Sequence, residues 1–231
     1  MIPPQRDAAF VAALEALLDV YAQPPDPRRP LVCFDEAGKE LQAALRPPLP
    51  MTPGHPRRED PEYVRHGSAN LFLAIAPHLG QRQILVTERR TRFDFAAALR
   101  HLVDEVFPDA VQLRLVLDNL NTHRLASLYH AFPPAEALRI ARKLEWHYTP
   151  KHGSWLNLAE LELSVLSRQC LHRRLPDRAT LETEIAAWVA DRNAAQIGVD
   201  WRFTIDNARE ALPHVYPHLP SDTFAVTDHS A

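Results

Sequence analysis

Two short apolar runs in this 231-residue sequence close on an acid: LVCFDE at 31–36 carries Asp35, and LRLVLDN at 113–119 carries Asp118. Each run is too short for a helix, and the first follows a proline directly, so both read as buried strands. In open α/β sheets the strand ends are where ligand sites form. A carboxylate there is costly to ionise unless it is paired, hydrogen-bonded or close to a cation. Two or three converging carboxylates repel one another, and a divalent cation is the simplest means of holding them ionised together. Magnesium takes carboxylate and water oxygens and keeps positions for phosphate, so the chemistry of such a cluster would be phosphoryl transfer. Aspartate also closes strands and turns for purely local reasons, and residue type alone leaves both readings open. Glu36 cannot share the role of Asp35, because neighbours on a strand point to opposite faces.

The elements that must position these acids follow from the pattern of apolar residues. From 7 to 21, Phe10, Leu14, Leu17, Leu18 and Tyr21 recur at helical spacing, and the prolines between 24 and 30 end that helix. Residues 46–69 are rich in proline and without period, which predicts a long irregular connection. Strands are predicted at 71–76 and 83–88 around a turn at 78–80. A helix follows at 93–107 with Phe95, Leu99, Leu102, Val103 and Val106 inward, then helices at 124–132 and 134–143, and a strand at 144–148. A helix is predicted over 154–171, with Gly153 and Ser154 as its turn and N-cap. Asp177 caps a last long helix bearing Leu181, Ile185, Trp188, Val189 and Arg192 on one stripe. Past Trp201 the signal decays, and 218–231 reads as a polar, fraying end. Strands alternating with helices after a hairpin predict an α/β fold with a mixed sheet flanked by helices.

Composition narrows the class. With 46% hydrophobic and 24% charged residues the chain can bury one sizeable core. No apolar run approaches a membrane span and the first ten residues have no leader pattern, so the expected location is cytoplasmic. Cys33 and Cys170 fall inside predicted elements and read as buried thiols of a reducing compartment. The net charge of -3 argues against a uniformly basic DNA-coating protein. A nuclease needs only a local basic path, and arginines cluster at 28–29, 55–60, 88–92 and 172–178.

The strings FDE at 34–36, LDNLNTH at 117–123 and YTPKHGSWLNLAELELSVLSRQCL at 148–171 resemble the three catalytic motifs of the IS-six-thirty insertion-sequence transposases, a bacterial branch of the mariner superfamily. Flanking strings agree, among them DVYAQPPDPRRP, PEYVRHGSANLF and TERRTRFDFA, and the resemblance runs to about residue 205. It implies a ribonuclease H-like fold with a five-stranded mixed sheet. It places the family's acids on Asp35, Asp118 and Glu160, which would also be the metal ligands for two Mg2+ or Mn2+ ions. Glu162 is the rival for the third position; periodicity excludes neither, and the motif favours Glu160. The implied activity is metal-dependent DNA strand cleavage and strand transfer, without a covalent protein intermediate, on transposon ends and at a TA target step. The implied partners are DNA and either a second copy or a chain with a DNA-binding domain.

Supporting roles are expected for Asn119 and His123, orienting Asp118 or the substrate phosphate, against a bland reading as loop and helix-start residues. Tyr63, Arg65, Lys151 and His152 are candidate DNA contacts, with loop solvation as the alternative. Trp146, Trp155, Trp188 and Trp201 lie in or beside apolar stripes and read as core anchors. Cys170, His172, His147 and His152 supply zinc-type ligands, but their spacing fits no zinc signature. The expected organisation is an N-terminal helix and proline-rich linker (1–30), a catalytic domain (31–205) and a C-terminal tail (206–231). Relatives normally begin with a helix-turn-helix region that this sequence does not contain, so a truncated, catalytically silent remnant that binds DNA or a full-length transposase is the second reading. A ribonuclease H-class cellular nuclease is the third.

Overall fold

The structure is a computed structural model that describes residues 2–218 apart from positions 4, 57 and 59. Five strands form one mixed sheet in the order β3-β2-β1-β4-β5. The strands are β1 (Leu31–Ala44), β2 (Tyr63–Ala76), β3 (Gln81–Thr87), β4 (Leu113–Leu117) and β5 (Leu144–Tyr148). The first three form an antiparallel meander, and β4 and β5 join β1 in parallel. The predicted class is therefore the observed one.

One face of the sheet is covered by α2 (Arg92–His101), α3 (Ala126–Ala131) and α4 (Pro134–Arg142). Their Phe95, Leu99, Leu128, Ala137 and Ile140 pack on Val32, Phe34, Phe72, Leu115 and Leu117. The other face meets α1 (Ala8–Ala22), α5 (Leu158–Gln169), α6 (Arg178–Ala194) and α7 (Ile205–Ala211). There Leu14, Leu17, Leu158 and Ala159 close over Cys33, Leu73 and Val116. Further along, Leu166, Leu181 and Ile185 cover Leu41, Leu71 and Val86. Both cysteines are buried free thiols, and the Cys33 thiol is pushed up to about 12 by burial.

Several boundaries differ from those predicted, each for a physical reason. β1 extends eight residues past the predicted end, because AGKELQAA is held by its ladder with β2 rather than by an apolar pattern. β2 begins at Tyr63, so the irregular connection is shorter than predicted and Tyr63 and Arg65 lie on a strand, not in a loop. The helix predicted over 93–107 changes at Leu102 into one π-turn (Leu102–Val106), where Phe107 N–H reaches back to the Leu102 carbonyl at 2.9 Å. The helix predicted from 154 starts as a 3-10 turn (Ser154–Leu156), and its α-helical part is capped by Asn157, whose side chain accepts from the Ala159 amide, rather than by Ser154. Within the stretch read as a tail, α7 is capped by Thr204 and its Ala208, with Leu212 and Val215 beyond it, is buried against α1. The fraying predicted for 218–231 falls, from 219 on, outside the described residues. No helix among the described residues is long and apolar enough to cross a membrane.

Candidate active site

The register of the two parallel strands sets the site. The last β1–β4 pair is Cys33 with Val116, and both side chains lie in the cluster under α1 and α5. Two residues further on, alternation returns the chain to the same face, so Asp35 and Asp118 emerge side by side where β4 ends. Asp35 is thus not at a strand end, as predicted; it sits within β1 at the level where β1 loses its parallel neighbour.

The third element arrives over that face. Asn157 is buried and donates from its amide nitrogen to the Phe34 carbonyl at 3.0 Å and to Asp35 Oδ2 at 3.4 Å. Its carbonyl accepts from the Glu160 amide at 3.1 Å. This ties the start of α5 to β1 and leaves Glu160 exposed in the first helical turn. A carboxylate at a helix N-terminus is favoured by the helix dipole. Glu162 points elsewhere: it is buried, with Oε1 2.7 Å from Arg82 Nε and 2.9 Å from Arg192 Nε. It therefore belongs to an internal ion cluster.

Electrostatics single out Asp35. Burial, with smaller contributions from Asp118 and Glu160, raises its carboxyl to about 6 against the opposing pull of the Glu36 amide and His123. Asp118 behaves oppositely. Burial pushes it up, but the hydrogen bond and charge of His123, with the Leu120 amide, outweigh that and hold it below the usual range. His123 is fully buried; its Nδ1 meets Asp118 Oδ1 at 2.5 Å and its Nε2 meets Glu36 Oε2 at 3.1 Å. Burial alone would lower this imidazole, yet its two carboxylate partners raise it to about 9.

The donor set Asp35, Asp118 and Glu160 suits a hard divalent cation, since all three offer carboxylate oxygens and two of them raise the proton affinity of the third. Among the described residues, however, no three His, Cys, Asp or Glu side chains stand close enough to enclose an ion as they are placed. That holds equally for the zinc-type residues Cys170, His172, His147 and His152.

The remaining predicted residues are dispersed. Asn119 is exposed beside Asp118. Lys151 and His152 occupy the turn after β5, His152 with a left-handed backbone (φ 67°). Arg65 pairs with Glu40 at 3.0 Å, and Tyr63 lies under the Arg174 guanidinium at 5.5 Å. Many clustered arginines are engaged within the fold. Arg29 meets Glu145, Arg173 meets Glu184, and Arg174 donates to the carbonyls of Asp60, Pro61 and Glu62. Two residues were not assigned to the site from sequence, Asn157 and Glu36. Asn157 carries a signal, an N-cap residue type directly before the periodic stretch of α5; Glu36 carries none, because its link to Asp118 runs through a residue 87 positions away.

A family model described as DDE superfamily endonuclease matches residues 30–182. No curated protein matches the sequence significantly. Among solved structures, the Mos1 mariner paired end complex with Mn aligns over 85% of this chain at 15% identity and a TM-score of 0.56. The Mos1 paired end complex with Mg aligns over 94% at 15% identity and 0.53, and the Mos1 strand transfer complex over 82% at 16% and 0.52. The chain spans 61%, 66% and 56% of those three proteins respectively. The shared fold is the ribonuclease H-like mixed sheet.

Proposed function

We propose that this chain, which belongs to the DDE superfamily endonucleases, is the catalytic part of a transposase in which Asp35, Asp118 and Glu160 hold divalent metal for DNA strand cleavage and strand transfer. The observation that carries the reading is the β1–β4 register, which brings Asp35 and Asp118 out together under the start of α5. Two of the solved mariner structures are paired end complexes with Mn or Mg, and another is a paired-end complex with the left transposon end. On that likeness the ions here are Mg2+ or Mn2+ and the substrate is DNA at transposon ends; that the ions number two and that the target is a TA step rest on the motif strings alone. A homodimer, or a partner carrying the DNA-binding module, completes the assembly. The IS-six-thirty branch is the family member we favour, on the three motif strings.

Bound at the three acids, such ions would lower the pKa of an attacking water or hydroxyl and stabilise the leaving oxygen. The chain's own residues do the rest. His123 keeps Asp118 ionised and fixed in rotamer. Asn157 holds α5 against β1, so that Glu160 and Asp35 present their oxygens from the helix and the sheet. Asn119, Lys151, His152, Tyr63 and Arg65 are proposed contacts to the DNA backbone around the acids. A silent remnant that binds DNA or a full-length transposase is the alternative reading.

Manganese-dependent nicking of supercoiled plasmid by the purified chain decides between them, with Asp118→Asn as control. Nicking lost in the variant supports the active reading; no nicking from wild type when a DNA-binding partner is also supplied supports the remnant.

A further inference from the structure

Glu36 is the neighbour that strand alternation turns away from Asp35, and its side chain is only 6% exposed. Burying a carboxylate costs several kcal/mol unless it is compensated. The compensation seen is the Nε2–H of His123 at 3.1 Å on Oε2, with Arg90 Nη1 3.8 Å from Oε1. Oε1 itself is buried and accepts no hydrogen bond. A fold seeking stability alone would gain from an apolar side chain here, because Phe34, Phe72 and Phe95 already line this face.

His123, in turn, has little freedom left except at its two nitrogens. Its ring stacks on Phe95 at 4.5 Å and stands edge-on to Phe34 at 5.9 Å. Its carbonyl accepts from Tyr148 OH at 2.9 Å, and its amide donates to Leu120 O at 2.9 Å. Carboxylates only accept, so a ring bonded to one at each nitrogen carries a proton on both and cannot flip without losing an N–H donor. The far nitrogen therefore determines what the near one offers to Asp118.

We propose that Glu36 is a positioning residue for the metal site: through His123 it fixes Oδ1 of Asp118 as a hydrogen-bond acceptor and leaves Oδ2 as the oxygen for the ion. This rests on the reading of Asp118 as a metal ligand. Groups that orient a ligand in this way typically contribute about 10- to 100-fold to metal affinity. The chain of bonds is Glu36, His123, Asp118, and it joins the sheet face under α2 to the opposite face that carries the acids.

The test uses the full chain in two states. In the metal-free protein labelled with 15N-histidine, the short Nδ1–H···Oδ1 bond gives a far-downfield proton resonance that Asp118→Asn removes. Glu36→Gln, which keeps size and an acceptor oxygen but not the charge, is expected to move that resonance upfield; an unchanged resonance overturns the coupling. Mn2+ binding is then read by electron paramagnetic resonance of the free ion, with Asp118→Asn as reference. Glu36→Ala is expected to weaken Mn2+ binding by about 10-fold or more, and Glu36→Gln by less, with thermal midpoints showing that both fold. Wild-type Mn2+ affinity in both Glu36 variants, alongside loss in Asp118→Asn, overturns the proposal and leaves the acid cluster standing. Equal affinity in wild type and Asp118→Asn overturns both together.

Discussion

Two charge clusters flank α5, one buried and one partly open, and they are built on opposite plans. Around Glu162, two guanidiniums surround one carboxylate: Arg82 and Arg192 both meet Oε1, Arg82 also donates to the carbonyls of Gly80 and Ile197, and the Trp188 ring lies 5.0 Å from Arg192. Charge there is compensated inside the fold, and the arginine donors are spent on groups of this chain. Around Asp35, carboxylates from two strands and a helix face one another with His123 as the cation in contact. That cluster leaves negative charge uncompensated, and burial first, with the charges of Asp118 and Glu160 after it, raises Asp35 to about 6. A cluster that closes on itself serves the fold, whereas one left open to a counter-charge is prepared for something outside the chain.

The largest effect that sharpens this contrast is on rate. Asp35→Asn, Asp118→Asn and Glu160→Gln are each expected to bring metal-dependent plasmid nicking down by orders of magnitude with the far-UV spectrum unchanged, since metal-held charge stabilisation is worth several kcal/mol at the transition state. A folded Glu160→Gln protein that nicks at the wild-type rate would remove Glu160 from the site. The next effect is on stability, in the closed cluster. Glu162→Ala strands the buried Arg82 guanidinium beside the partly buried Arg192 and is expected to cost about 3–5 kcal/mol by urea denaturation; a loss below about 1 kcal/mol would show that water reaches the arginines.

The third prediction has the opposite sign. Asp35 rises to about 6 in the fold against about 4 in an unfolded chain. Ionising it therefore costs the metal-free fold nothing below pH 4, a growing amount between 4 and 6, and a constant amount above. Asp35→Asn should stabilise the metal-free protein by about 1–3 kcal/mol at pH 7, with the gain vanishing towards pH 4, and Mn2+ should stabilise the wild type but not the variant. Equal thermal midpoints at pH 7 would mean that neither burial nor the neighbouring acids penalise the charged form of Asp35 in the fold. The smallest effect is Thr91→Ala, which removes the capping box of α2, the helix that carries Phe95 under His123. It should cost about 1 kcal/mol and leave the nicking rate unchanged; a fall in rate would tie the packing beneath His123 to the site.

Much of this arrangement is legible in the chain. Short apolar runs predict β4 and β5, helical spacing predicts α1, α2 and α6, and Asp177 caps α6 as its residue type suggests. The acids stand out because an apolar run closed by aspartate is conspicuous. The second half of β1 is not legible: its residues alternate weakly and are held by backbone pairing with β2, which leaves little trace in side-chain type. Nor is α7, seven residues whose stability comes from packing on α1 rather than from its own pattern. Glu160 and Glu162 could not be told apart by period, because both faces of α5 carry apolar neighbours.

What the sequence determined by itself is the alternation of strand and helix and the candidate acids, since both follow from local spacing and residue chemistry. Tertiary structure alone decided which charges meet. Asp35 reaches the level of Asp118 through the β1–β4 register, Glu162 is drawn into the arginine cluster by Arg82 on β3 and Arg192 on α6, and Glu36 joins Asp118 through His123 across 87 residues. Those are long-range pairings, and their energies depend on burial and distance, which one-dimensional spacing does not contain.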